Sequence, residues 1–334
     1  MKAISITRLL VILIAASAIT GCAPAKPAPD AITVQLSWFH TVEFAGFYAA
    51  VEKGFYADEN LSVSLLPGGP DVDPLRVVQA GTAQLGVTSG DNLVRARAAN
   101  ITVTAIMAIF RSSPLIVMSL PDSGIQRPQD LVGKTVGVIS GQLDSAWDIQ
   151  FLALLAPLNI DAQRLKFVAM QDYTGANELT SGRVQAASGF FSTNEAVQAR
   201  LDGLQPNLIF YSDYGIQIYV NALFAPDTLL NSHPDLALRL VRATLKGYQY
   251  ALDHPAEAAQ FALKFDQNLD LKLQTAALEA QIPFIDTGDG ALGSMELAVW
   301  QSTQDALVKQ GFLGAPIDLQ AVFTNRFIDA QRAK

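Results

Sequence analysis

The run Ile32-Thr33-Val34-Gln35-Leu36 alternates apolar with polar side chains, and Ser37-Trp38-Phe39-His40 leads from it into small and aromatic residues over Phe44 to Glu52. Alternation of period two marks a half-buried strand, and the packed small residues that follow suit a helix that Gly54 is placed to end. The same pairing recurs at once. Leu61-Ser62-Val63-Ser64-Leu65 alternates again, Pro67-Gly68-Gly69-Pro70 stops it, and Asp73 caps a helix through Ala80 with Pro74 in its first position. Leu85-Gly86-Val87-Thr88 is then a short strand running through Ser89-Gly90-Asp91 into another helix. Strand and helix in turn predict an α/β fold with largely parallel sheets.

Further along, Leu115 to Ser119, Lys134 to Ile139, Leu165 to Ala169 and Ala186 to Phe190 are predicted strands. Ser140-Gly141-Gln142 ends the second of these, Asp144 or Ser145 caps the helix after it, and Pro157 lies near that helix's end. Tyr173 to Ser181 is predicted helical. After Tyr211-Ser212-Asp213-Tyr214-Gly215 the pattern becomes mostly helical: Pro234 to Asp253, Pro255 to Phe265, Leu269 to Gln281 and Ser294 to Gln310. A strand set, a second strand set and a helical return give two α/β lobes: residues 32–113, then 114–212, with 213–334 returning to the first. Open α/β sheets bind ligands beyond the carboxyl ends of their strands. Facing lobes would therefore gather Ser89-Gly90-Asp91, Ser140-Gly141-Gln142 and Phe190-Phe191 around one cleft, which hinge closure can bury.

The start of the chain has the three parts of a secretory signal over residues 1–21: basic Lys2 and Arg8, an apolar stretch from Leu9 to Ile19, and small residues before Cys22. Thr20-Gly21-Cys22 is what a bacterial lipoprotein signal requires, and the apolar run falls short of the roughly 20 residues of a membrane span. Cys22 is the only cysteine among 334 residues, so disulfides and Cys nucleophiles are excluded from the remainder. The expected mature chain is held by acyl chains on Cys22 to the extracytoplasmic face of the cell membrane. Residues 22–31, rich in Pro, read as a stiff spacer.

Loss of Lys2 and Arg8 would take the formal charge from −8 to −10, and an acidic chain without basic runs argues against nucleic acid as a partner. Half of the composition is apolar, ample for a core. Catalysis is weakly supported. No G-x-S-x-G elbow, P-loop, Rossmann glycine triplet or metal-ligand spacing appears, so no catalytic residue, metal or cofactor is assigned. Of the three histidines, His233 and His254 each precede a Pro at a helix start and read as boundary residues.

The densest aromatic cluster is Trp38-Phe39-His40 with Phe44, Phe47 and Tyr48. Flat faces stack on planar ligands, and Trp and Tyr add an orienting donor. Some of the six must be core, since Phe44, Phe47 and Tyr48 cannot share one helix side; Trp38 and Tyr48 are the cleft choices. His40 either hydrogen-bonds a ligand heteroatom or caps the helix. Glu195, in Phe190-Phe191-Ser192-Thr193-Asn194-Glu195, either serves the helix dipole or accepts N–H donors from a ring edge. Ser89 and Ser140 stand at strand ends, where tight turns alone would explain small residues.

Ser37-Trp38, Ala45-Gly46-Phe47-Tyr48-Ala49-Ala50, Lys53-Gly54-Phe55-Tyr56 and Leu61-Ser62-Val63 resemble the opening signature of binding proteins of the thiamin-pyrimidine (NMT1/THI5-like) group. Leu131-Val132-Gly133-Lys134-Thr135-Val136-Gly137-Val138, Asn194-Glu195 and Asp213-Tyr214-Gly215 are similar to its later motifs, so the likeness covers residues 31–330. The resemblance implies a type II periplasmic-binding-protein fold and a monomeric solute receptor that feeds an ABC permease, and it adds Tyr214 to the ligand contacts. Enzymes of the group that make the pyrimidine carry a cysteine cluster where this chain reads Ser188-Gly189-Phe190-Phe191-Ser192. Aminopyrimidine-binding members resemble a polar Trp-x-Pro-Asn-Thr-Asn-His-Thr-Gly, whereas Trp38-Phe39-His40-Thr41-Val42-Glu43-Phe44-Ala45-Gly46 is more aromatic. The implied ligand is riboflavin first and a thiamin pyrimidine precursor second. Trp38 and Tyr48 would stack against Phe190 or Phe191, with Glu195, Ser89 and Ser140 on the polar edge. A sulfonate receptor is a further alternative, for which Arg111 is the available cation.

Overall fold

A computed structural model of the chain describes residues 27–139, 146–173 and 176–332. Strands β1 (Asp30–Gln35), β2 (Leu61–Leu66), β3 (Leu85–Thr88) and β4 (Val103–Ala108) form one sheet with β10 (Ala222–Pro226), in the order β2-β1-β3-β10-β4. The second sheet takes β5 (Leu115–Ser119), β6 (Thr135–Val138), β7 (Lys166–Ala169), β8 (Ala186–Phe191) and β9 (Asn207–Phe210), in the order β7-β6-β8-β5-β9. Helices cover both sheets, giving two α/β lobes joined by residues 109–114 and 211–221.

The sheets are mixed rather than largely parallel. β1 runs parallel to β2 and β3, and β6 to β7 and β8. β10 is antiparallel to β3 and β4, and β5 is antiparallel to β8 and β9. The exceptions have one cause. β5 and β10 are the strands reached by crossing between lobes, so they enter their sheets without the crossover helix that enforces parallel pairing.

Local signals in the sequence translate into geometry. The side chain of Asp73 accepts the amide of Leu75 at the start of helix Pro74–Gln79, and Gly54 closes the turn after helix Ala45–Glu52 with φ of 74°. β1 begins at Asp30, inside the stretch expected to be spacer. Within the described part of Tyr173 to Ser181, the helix covers Asn177–Thr180. Glu178 there accepts the amides of Gln171 and Asp172 at 2.6 and 3.0 Å, so its carboxylate orders the loop just before the expected helix start. Ser140, Gly141, Gln142, Asp144 and Ser145 lie outside the described residues, as does Cys22.

Candidate functional site

β1 ends by delivering Trp38 to the gap between lobes. Behind it, the Gly68 amide donates to the Trp38 carbonyl at 2.8 Å, and a Cβ on Gly68 would lie 2.4 Å from the Leu36 carbonyl oxygen. Only glycine fits there. The next turn, Val42–Phe44, carries Glu43, which is 6% exposed. Ser37 Oγ donates to Asn221 Oδ1 at 2.7 Å, and Asn221 Nδ2 donates to Glu43 Oε2 at 3.2 Å, so the return crossing fixes the carboxylate. Tyr248 Oη donates to the Glu43 carbonyl at 3.0 Å, and the Val42 amide donates to Gln274 at 2.9 Å.

From the other lobe, β8 ends in Gly189-Phe190-Phe191, with Gly189 at φ of 82°. Glu195 opens helix Glu195–Leu201 and is 8% exposed. Its Oε2 accepts the Phe191 amide and its Oε1 accepts Asn194 Nδ2, both at 2.7 Å. Burial pushes the Glu195 carboxyl up to about 7, against those stabilising hydrogen bonds. Burial, aided by the charge of Glu195, pushes Glu43 up to about 8.

Trp38, Glu43, Ile139, Tyr173, Gly189, Phe190, Phe191 and Glu195 line one small cavity of about 40 Å³ between the lobes, well below the ~300–1,000 Å³ of sites that hold a small molecule. It lies beyond the carboxyl ends of β1, β6 and β8. The lobes meet here, with the Trp38 and Tyr173 rings edge to face at 5.7 Å and 88°. Gln150 Nε2 also donates to Asp91 Oδ1 at 2.8 Å from lobe to lobe.

Of the residues singled out in sequence, Trp38, Phe190, Phe191 and Glu195 come together. Tyr48, expected beside Trp38, is fully buried, stacked on Phe265 at 4.4 Å, with its hydroxyl 3.0 Å from His40 Nδ1. Phe44 and Phe47 are equally buried, because helix Ala45–Glu52 packs against helices Pro234–Asp253 and Pro255–Ala262, with every residue from Ala45 to Ala50 buried. His40 belongs to that Tyr48–Phe265 cluster. Phe39 is 48% exposed, edge-on to Trp38 outside the cavity. Ser89 is buried before helix Gly90–Ala98, and Tyr214 is half-buried in the turn Ser212–Tyr214; neither lines the cavity. Arg111 is committed elsewhere: its buried guanidinium donates to Asp289 at 2.7 Å, to Glu296 at 3.2 Å and to Thr287. The sulfonate alternative loses its cation. Glu43, Ile139, Gly189 and Tyr173 had not been singled out. Glu43 had a signal, being the only formal charge between Trp38 and Val51; Tyr173 had none.

The NMT1/THI5 like family model matches residues 41–258. The chain belongs to this family. It is 29% identical to the riboflavin-binding protein RibY of Chloroflexus aurantiacus, over 98% of each chain. It is 23% identical to the formylaminopyrimidine-binding protein of Halalkalibacterium halodurans, over 96% of this chain and 97% of that one. Among solved structures, the alkanesulfonate-binding protein SsuA of Xanthomonas axonopodis pv. citri, bound to MOPS, superposes with a TM-score of 0.67 at 14% identity. That likeness covers 90% of this chain and all of that one, and the shared fold is the two-lobed periplasmic-binding-protein fold. Among the described residues no helix is long and apolar enough to cross a membrane, and no group of three His, Cys, Asp or Glu is placed for a metal ion.

Proposed function

We propose that this family member is the solute receptor of an ABC importer for a planar aromatic vitamin, with riboflavin as ligand. The observation that carries the reading is the cavity between the lobes, where Trp38 from one side and Phe190 and Phe191 from the other offer ring faces and Glu43 and Glu195 offer polar edges. Stacking supplies area and the carboxylates supply orientation. In this reading Tyr173 is a further contact, while Tyr48 and His40 shape the cavity from behind. A ligand closes the lobes by the extra contacts it gains in the closed form. The full-length match to RibY favours riboflavin. The formylaminopyrimidine-binding relative supports a second reading, a thiamin pyrimidine precursor, in the same cavity. A pyrimidine-forming enzyme is disfavoured by Ser188-Gly189-Phe190-Phe191-Ser192, which has no cysteine. Acyl chains on Cys22 would hold the receptor beside its permease; Cys22→Ser should abolish palmitate labelling and release the protein from membranes.

Titration of the chain into riboflavin tests the ligand. Saturable quenching of flavin fluorescence at one equivalent is expected, with competition by formylaminopyrimidine if the second reading also holds. Binding of neither compound by calorimetry removes both.

A further inference from the structure

Two buried carboxylates meet at the cavity from opposite lobes without a cation to answer them. Neither Glu43 nor Glu195 takes part in any ion pair of the described residues. Among the described residues, the groups facing the pair are neutral or acidic. Helix Leu271–Ile285 presents Gln274 and helix Pro234–Asp253 presents Tyr248. Helix Ala45–Glu52 brings Tyr48, with His40, whose ring burial holds below its usual value, and Asp266 beyond. The second lobe brings Tyr173, itself acted on by Asp71, Asp148 and Glu178. Both carboxyls are buried, both line the one cavity, and the charge of Glu195 acts on Glu43; joint ionisation of such a pair is disfavoured, and one carboxyl keeps its proton.

We propose that Glu43 and Glu195 hold one proton between them, and that this proton makes the cavity select a ring edge carrying an N–H donor beside a carbonyl or ring-nitrogen acceptor. A protonated carboxyl donates its O–H to the ligand acceptor and accepts the ligand N–H on its other oxygen, a two-bond pairing. The ionised partner accepts a further donor and repels carboxylate or sulfonate ligands. An imide and an aminopyrimidine both present such an edge. The edge selection rests on the cleft reading above, whereas the shared proton is a property of the free protein.

Glutamate carboxyl-¹³C NMR on the full chain without ligand tests the proton. Two carboxyls should titrate above about pH 6, clear of the usual ~4.3, and Glu43→Gln should lower the Glu195 midpoint. Titration of every glutamate below that range, or a Glu195 midpoint unmoved by Glu43→Gln, overturns the sharing. Binding of lumiflavin against 3-methyl-lumiflavin tests the edge. The methyl group removes the imide donor and should weaken binding at least about tenfold; equal binding overturns the selection. Should the carboxyls titrate as stated while neither flavin nor pyrimidine binds, the cleft reading fails and the edge selection with it, leaving the shared proton established.

Discussion

Trp38 and Phe190 reach the cavity from strand ends in different lobes, and each lies beside a carboxylate that its own lobe holds in place. Trp38→Ala should weaken ligand binding by about 2 kcal/mol or more, roughly thirtyfold, the usual loss for a buried aromatic anchor, with circular dichroism unchanged; unaltered affinity would remove Trp38 from the contact. Tyr48→Phe should leave affinity intact and lower stability by about 1 kcal/mol through the lost His40 bond, read from denaturant midpoints. The contrast explains what could be seen in advance. Both residues are aromatic and ten positions apart, and nothing local separates the one at a strand end from the one enclosed among helices. Glu195 was visible because it follows a strand-end Phe pair. Its companion was obscured by an apolar context that reads as core.

The helical hairpin of Ala45–Glu52 against Pro234–Asp253 shows why family signatures are readable. A Cβ on Gly46 would sit 2.1 Å from the Tyr248 ring, and one on Gly247 would sit 2.0 Å from the Gly46 carbonyl oxygen. Gly46 and Gly247 are thus conditions for the two helices to touch, and the motif around Gly46 reports the fold more than the ligand. Gly247→Ala should cost about 3 kcal/mol, the upper part of the overpacking range, because the obstacle is backbone. Asp73→Ala should cost only about 1 kcal/mol as a lost N-cap. Denaturant midpoints for the two variants should rank in that order. Helix Pro234–Asp253, opened by a Pro and bounded by the next His-Pro pair, formed over the span its sequence indicates. The segment from Tyr173 did not, since Glu178 bonds to the loop before it, a contact no periodicity announces.

For the whole molecule, closure places ionisable groups out of water, and stability must follow pH accordingly. Glu43 and Glu195, raised to about 8 and about 7, bind more protons folded than unfolded between the ordinary glutamate range and those values. Their contribution is therefore complete only below the ordinary glutamate range, ~4.3, and is lost progressively as pH rises from there to about 7 to 8. Melting temperatures should fall across that window, and Glu43→Gln should flatten the fall; a profile identical to the parent's would contradict the burial argument. Gln150→Leu removes the lobe-to-lobe bond and takes from buried Asp91, whose Oδ2 is already without a partner, its Gln150 donor. Closure should then cost about 1–3 kcal/mol more, seen as weaker ligand binding and a more open scattering profile. The two-lobed plan was legible from strand–helix alternation; the antiparallel strands were not, because crossing direction is a property of the assembled chain.

One consequence lies in the order of synthesis. β10 sits between β3 and β4, yet it is made after every strand of the other sheet. A growing polypeptide can therefore complete its inner jaw while the outer one still has a slot at its centre, with two raw edges awaiting a late insert. Such a molecule stays threadable until residue 226 has emerged, and any partner that keeps it from premature collapse has those two edges to hold.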